Sequence, residues 1–578
     1  MNSYDSEADN VLPSWVDFGE CCDWERVKCN TITGHVTKLS FNQINNNLRF
    51  ISEPVKLWPL NVSLFLQFEE LRSLNLSMNF LDNAILNTEL ETLSSLKNLE
   101  ILDLTSNYDI DNDIIPSLTT LTSLRVLDLS YTSLKGRFPT TGIIRYFEKL
   151  RNFGSNRVWL LWYFSNTRNL DLSGNRLSGS FPAYDLAYLT NLEKLDFSGN
   201  KRFTNTSIIQ ELSRLKDLKT LDMGACGLNS LVFNGTMSGL LYLNLDWNVF
   251  RNDSLRFLGA FPSLKFLSLE SSRFNRAALL EELPYMPNLE VLLLGRNKLR
   301  GKLTMKALSS FPNLEILDLS SNNLNGSIPS EISALSYMRV LYLAENNLNG
   351  SLLEYGLCQL KNLQELDLSL NSFEGNLPQC FSNLSSLKVF EISSNHFTGI
   401  IPQFVIANMT SLEYINLCHN KFEGLLSFSS LANLRNLVVV EFKSNNDKFE
   451  VDTEEPLGWM PMFQLQVLVL SNSNVNMHKG NVVPSFLLHQ HELQVLDLSH
   501  NSLQGHTPNW LVENNTMLQS LYLRNNSFGG SIRMPSYRDF QLAYLDMSDN
   551  EIMGSIPGNI GRFCWPQTYV TRLARAAV

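Results

Sequence analysis

One short pattern of apolar and polar positions recurs along almost the whole chain. Leucines stand at Leu-x-x-Leu-x-Leu, and an asparagine follows three positions after the last of them. The pattern reads LRSLNLSMN up to Asn79, LEILDLTSN up to Asn107 and LEILDLSSN up to Asn322. It returns as LQELDLSLN at Asn371, LQVLDLSHN at Asn501 and LAYLDMSDN at Asn550. About nineteen copies occur if Thr132, Cys226, Ser272 and Ser473 are accepted in place of the last asparagine. Most lie about 24 or 25 residues apart, and chance does not hold so many copies in register. A gap of 43 residues separates Thr132 from Asn175, and a degenerate copy is expected inside it, near Leu150 to Asn156.

The Leu-x-Leu core alternates with period two and predicts a short strand in each copy. One such turn cannot bury its apolar face alone, so neighbours must stack and share a continuous core. The closing asparagine offers an amide to backbone groups where the chain leaves the strand, which predicts a ladder through the stack. Cys226 fits this ladder as a small buried replacement, not a nucleophile. Between strands, Gly and Pro recur at fixed offsets, as in LNGSIP (Leu324 to Pro329), FEGNLP (Phe373 to Pro378), FTGIIP (Phe397 to Pro402) and IMGSIP (Ile552 to Pro557). Glycine permits a turn and proline stops a long helix. The predicted fold is an α/β solenoid with a concave parallel sheet and an irregular, 3₁₀-rich convex side. The expected organisation is a partial cysteine cap over 1–45, repeats over 46–558 with an irregular stretch at 136–168, and a non-repeat tail over 559–578.

Composition narrows the function. The 578 residues include 46 Lys+Arg against 57 Asp+Glu, a formal net charge of −11, which disfavours a nucleic-acid binder. Hydrophobic residues at 44%, with about 102 leucines and about 62 asparagines, give ample apolar surface for a core and exclude a disordered chain. The longest apolar runs, such as Val158 to Phe164, are too short to span a bilayer.

The LxGxIP signature resembles the plant-specific class of leucine-rich repeats, over about nine tenths of the chain. The segment Leu12-Pro-Ser-Trp15, Cys21-Cys-Asp-Trp24, Cys29-Asn30 and Gly34 to Leu39 resembles the N-terminal cap of plant extracellular proteins of this type. That resemblance implies a disulfide from Cys22 to Cys29 and leaves Cys21 without its expected upstream partner. It also implies a truncated N-terminus and a lost signal peptide. After Ile560 the leucine pattern stops, so closing coils, a cap and a membrane helix are missing from the expected family plan. Residues 449–530, from FEVDTEEPLGWMPMF to SLYLRNNSF, are similar to plant receptor-like proteins, the kinase-less cell-surface receptors. The resemblance implies a plasma-membrane protein whose extracellular side binds a peptide, glycan or protein ligand and signals in defence or development through a co-receptor or adaptor kinase. The rivals are a secreted enzyme inhibitor resembling polygalacturonase-inhibiting proteins and a nonfunctional gene fragment. No catalytic activity and no cofactor are expected.

Most copies carry a monotonous Asp-x-Ser on the solvent-facing strand positions, as at Asp318 and Ser320. Departures from it mark candidate contacts, because exposed aromatics are costly unless used. One group is Tyr242, Asn244, Asp246 and Trp247, then Lys265, Phe266 and Glu270, then Leu293 and Arg296, with Tyr342 two coils further. A second is Tyr414, Asn416 and His419, then Glu441 and Lys443, with Tyr522 and Arg524 beyond. Cys358 and Cys380 occupy nearly matching positions in adjacent coils, so a disulfide or two buried thiols is expected there. HQHE (His489 to Glu492) lacks metal-ligand spacing and reads as a solvated loop; no metal site is expected. The Asn-x-Ser/Thr sequons are Asn61, Asn75, Asn205, Asn234, Asn252, Asn325, Asn349, Asn383, Asn408, Asn514 and Asn525, weak support for secretion.

Overall fold

The computed structural model describes residues 14–15, 20–45, 57–136, 166–179, 189–203, 212–229, 235–250, 252–275, 279–352, 356–444, 446–533 and 541–555. The chain divides into two compact units, the first built from Met1–Phe274 and Glu282–Leu289, the second from Asn275–Glu281 and Glu290–Val578.

The first unit opens on the cysteine cap. A 3₁₀ turn, Cys21–Asp23, leads into the strand Val27–Cys29, which pairs antiparallel with Val36–Ser40. The Cys22–Cys29 disulfide closes this hairpin. Trp15 packs against Trp24 and Phe41, and Phe41 against Phe65, with ring centroids 5.0, 5.3 and 5.6 Å apart. These rings cover the apolar end that a first coil would otherwise leave open. Val36–Ser40 then pairs parallel with Ser73–Asn75, so the cap also supplies a strand of the sheet. The strands Ile101–Asp103, Val126–Asp128, Asn169–Asp171, Lys194–Asp196, Thr220–Asp222, Tyr242–Asn244 and Phe266–Ser268 follow, all parallel. Leucine faces leucine at every step, for example Leu127 opposite Leu170.

The expected extra copy near Leu150 to Asn156 falls outside the described residues. The sheet nevertheless corrects it. Val126–Asp128 pairs directly with Asn169–Asp171, and the Thr132 hydroxyl reaches Asn175 at 2.9 Å. No place remains between those strands for another one.

The second unit stacks Val291–Leu293, Ile316–Asp318, Val340–Tyr342, Glu365–Asp367, Val389–Glu391 and Tyr414–Asn416 in parallel. Val439–Glu441, Val467–Val469, Val495–Asp497, Ser520–Tyr522 and Tyr544–Asp546 complete its sheet. A second parallel ribbon was not expected from the sequence. It joins Arg300–Lys302, Asn323–Gly326, Asn347–Ser351, Ser372–Gly375, His396–Gly399 and Lys421–Phe422. Its strands alternate exposed Asn323, buried Leu324 and exposed Asn325, the same period of two in a polar setting. Gly326, at φ +80°, ends its strand in a conformation that disfavours a side chain. After the prolines the chain makes short 3₁₀ turns, such as Ser330–Ala334 and Gln379–Asn383, or a single α-helical turn, as at Gln403–Ala407.

Among the described residues the asparagine ladder recurs through both units. Asn322 donates to the carbonyls of Leu319 and Ser320 in its own coil and of Leu294 in the preceding one, and accepts from the Leu299 N–H. Where asparagine is replaced, one donor survives. Thr132 donates to Leu129, Cys226 to Phe197, Ser272 to Leu245 and Ser473 to Phe442. Burial pushes the Cys226 thiol far up, consistent with an inert packing residue. The leucines between are fully buried, each contributing about 2 kcal/mol by removal from water.

Candidate ligand-binding surface

The strand residues that point away from the leucine core form an open sheet face in each unit. In the first unit its middle row is acidic: Asp103, Asp128, Asp171, Asp196 and Asp222 sit at one register on consecutive strands. Each accepts the N–H two residues on, from Thr105, Ser130, Ser173, Ser198 and Gly224. That turn explains why Asp-x-Ser recurs: the carboxylate caps the end of its own strand. Strands about 4.8 Å apart then hold like charges side by side. Burial, reinforced by Asp196 and Asp128, pushes the Asp171 carboxyl up to about 6. Burial raises Asp196, Asp222 and Asp246 as well, with Asp222 adding to the rise at Asp196. Asparagines close both ends of the row: Asn75 donates to Asp103 at 2.7 Å and Asn244 to Asp222 at 3.0 Å. Sequence reasoning set these aspartates aside as monotony; their recurrence at one strand position was the available signal.

Beside this row lie the residues singled out in the first group. The Tyr242 and Phe266 rings stack with centroids 4.2 Å apart and planes 9° apart. Burial and the carboxylates of Asp222, Asp246 and Asp196 push the Tyr242 phenol up. Asp246 accepts the Ser268 hydroxyl at 2.5 Å and the Glu270 N–H at 2.7 Å, which ties adjacent coils together. Trp247 is 63% exposed, with its backbone N–H held by the Glu270 carbonyl. Lys265 is exposed and Glu270 half-buried. Thus Tyr242, Asn244, Asp246, Trp247, Lys265, Phe266 and Glu270 share two neighbouring coils. Leu293, Arg296 and Tyr342 belong to the second unit.

In the second unit the middle row holds Asp318, Tyr342, Asp367, Glu391, Asn416 and Glu441. The Tyr342 hydroxyl donates to Glu365, and the Tyr414 hydroxyl to Glu391 at 2.8 Å. Asn416 donates to the Tyr414 hydroxyl and to Glu441. Burial raises Asp367, Glu391 and Glu441, and drives both phenols strongly up together with their carboxylate neighbours. His419 is exposed, its N–H bonded to the Lys443 carbonyl. Arg296 is exposed; Tyr522 is half-buried; Arg524 pairs with Asp549 at 3.0 Å. Cys418 is buried on this face, its thiol pushed up to about 12 by burial and Glu441. Cys358 and Cys380 are joined as a disulfide. The sulfurs of Cys21, Cys22 and Cys29 lie within 4.8 Å, but two of them form the cap disulfide and Cys21 is the free thiol. Cys564 lies outside the described residues. His489, His491 and Glu492 are exposed.

Among the sequons, Asn61, Asn325, Asn349, Asn383, Asn408, Asn514 and Asn525 are exposed. Asn75 is half-buried on the sheet face and accepts the Ser77 N–H while donating to Asp103. Asn252 begins the 3₁₀ helix Asn252–Ala260; Asn205 and Asn234 lie outside the described residues. No helix among the described residues is long and apolar enough to cross a membrane.

Repeats, capping hairpin and ladder give the chain a leucine-rich-repeat solenoid fold. The leucine-rich repeat region profile matches residues 298–525, and the single-repeat profile matches 166–184 and 541–563. Its relatives are plant receptor-like proteins, the family its sequence resembles. It is 42% identical over 135 residues to receptor-like protein 15 of Arabidopsis thaliana, covering 23% of this chain and 13% of that one. It is 36% identical over 224 residues to putative receptor-like protein 8 of Arabidopsis thaliana, covering 38% and 19%. The chain therefore matches less than a fifth of the length of these relatives. Among solved structures, the plant peptide hormone receptor RGFR1 in complex with RGF2 superposes with a TM-score of 0.54 at 24% identity, over 94% of this chain and 78% of that one. A TDR receptor gives 0.53 at 21% identity, over 90% and 96%. These similarities establish the fold.

Proposed function

We propose that the chain is ligand-binding ectodomain of a plant receptor-like protein, carried on the extracellular side of the plasma membrane. It takes an extracellular peptide, glycan or protein ligand on its open sheet faces and performs no chemistry of its own. Signalling in defence or development runs through a co-receptor or adaptor kinase. The observation that carries this reading is Trp247, 63% exposed just past the end of the strand that carries Tyr242, whose ring stacks on Phe266 of the next coil. A large aromatic left in water on a preformed face is the kind of anchor that dominates recognition energies. The test is binding of the secreted chain to panels of peptides and oligosaccharides, repeated with Trp247→Ala/Phe266→Ala. The double variant should keep its thermal unfolding profile and lose at least about tenfold in affinity. Unchanged affinity for every bound probe would remove this face from the contact surface.

A further inference from the structure

The sheet face of the first unit also carries information about the charge of what it binds. This inference rests on the reading just given. Asp171, Asp196, Asp222 and Asp246 lie on it, and no described cation forms an ion pair with any of them. Lys194, exposed, acts on Asp196 only through space. Four cations of this unit pair with other acids: Arg72 and Arg125 with Glu100, Arg168 and Lys219 with Glu193. Burial raises all four carboxyls, and neighbouring aspartates add to the rise at Asp171, Asp196 and Asp222. Immediately beside them stand flat aromatic surfaces, the Tyr242–Phe266 stack and the indole of Trp247.

We propose that this face holds an extended, arginine-bearing peptide stretch of the ligand, its guanidinium groups lying against Trp247 and the Tyr242–Phe266 pair and facing Asp222 and Asp246. A guanidinium is planar, stacks on aromatic faces and presents a fork that matches a carboxylate. An ammonium supplies the charge without the stacking, and an anionic glycan or acidic peptide meets repulsion. Part of the energy is the relief of like-charge repulsion already present in the free protein, and it weakens with salt.

The experiment is selection of a displayed random peptide library on the full secreted chain, with counter-selection on Trp247→Ala/Phe266→Ala. One enriched peptide is then synthesised and measured on the wild type and on Asp196→Asn/Asp222→Asn. Asparagine already stands at this register at Asn75 and Asn244, where its oxygen accepts the N–H two residues on as the aspartates do, so the second variant preserves the strand ends. Enriched sequences should be arginine-rich. Their affinity should fall about tenfold in the asparagine variant, and by a similar factor between low and about 0.5 M salt. Neutral or acidic sequences that still need Trp247 and Phe266 would overturn the charge assignment and leave the binding surface standing. Enrichment that ignores both aromatics would overturn the surface and the charge assignment together.

Discussion

The hydroxyl of Tyr414 donates to the carboxylate of Glu391 across two adjacent strands at 2.8 Å, while the Asn416 amide donates to the same hydroxyl at 3.2 Å. A tyrosine thereby relays hydrogen bonding through a row of acids that burial is raising. Tyr414→Phe removes a donor to a half-buried carboxylate. The expected cost is about 1 kcal/mol in urea unfolding. The Glu391 carboxyl should titrate still higher, since the phenol bond opposes its rise. A fall in its titration point would contradict this relay.

Asp171 makes the fold pH-sensitive in a definite direction. Its carboxyl is raised from 3.8 to about 6, flanked by Asp128 and Asp196. A raised acid binds its proton more tightly in the folded state, so its contribution is fully present below about pH 4 and is lost as pH rises through 6. Asp171→Asn should therefore stabilise the first unit at pH 7 by about 1 kcal/mol, after allowing for solvent screening, and by nothing at pH 4. Thermal unfolding at the two pH values reads the difference.

Asn322 serves three carbonyls and one N–H, buried except at Ser320, which is partly exposed. Asn322→Ala strands them and should cost about 2–4 kcal/mol, read as lost hydrogen-exchange protection around Leu299 and Leu319. Asn322→Ser should cost less, because Ser473 fills the same position with one donor to Phe442 at 2.7 Å.

Cys358 and Cys380, 22 residues apart, are bonded between adjacent coils. Cys358→Ser/Cys380→Ser should destabilise the second unit by about 2–3 kcal/mol, mainly by freeing the unfolded chain. Equal unfolding midpoints of the variant and the oxidised wild type would argue that the bridge is idle.

Glycopeptide mass spectrometry on chain secreted from plant cells should find Asn325 and Asn349 occupied, since both side chains stand exposed on the second ribbon. Asn75 should stay bare, its amide committed to Asp103 and its oxygen to Ser77.

The solenoid could be read from the chain because its determinants are local: Leu317, Leu319 and Asn322 lie within six residues and dictate strand, core and turn together. The second ribbon escaped that reading because Asn323 to Gly326 looks like a polar turn, and only Leu324 betrays the alternation. The acidic row escaped for another reason. Asp171 and Asp196 are each unremarkable in their own repeat and become neighbours only when coils stack. Tyr242, Trp247 and Phe266 stood out in the sequence because they break the Asp-x-Ser pattern, as Tyr342 and Tyr414 do in later copies.

The ladder has a consequence for how the chain is made. The Leu299 N–H finds its acceptor only on Asn322, 23 residues further along, and the same forward reach recurs from Leu324 to Asn346 and from Leu348 to Asn371. During synthesis, each newly emerged coil carries an open amide until its successor leaves the ribosome. A coil of this ladder is therefore completed only once its successor is in place, and a chain cut within one repeat leaves the preceding coil with an amide that only water can satisfy.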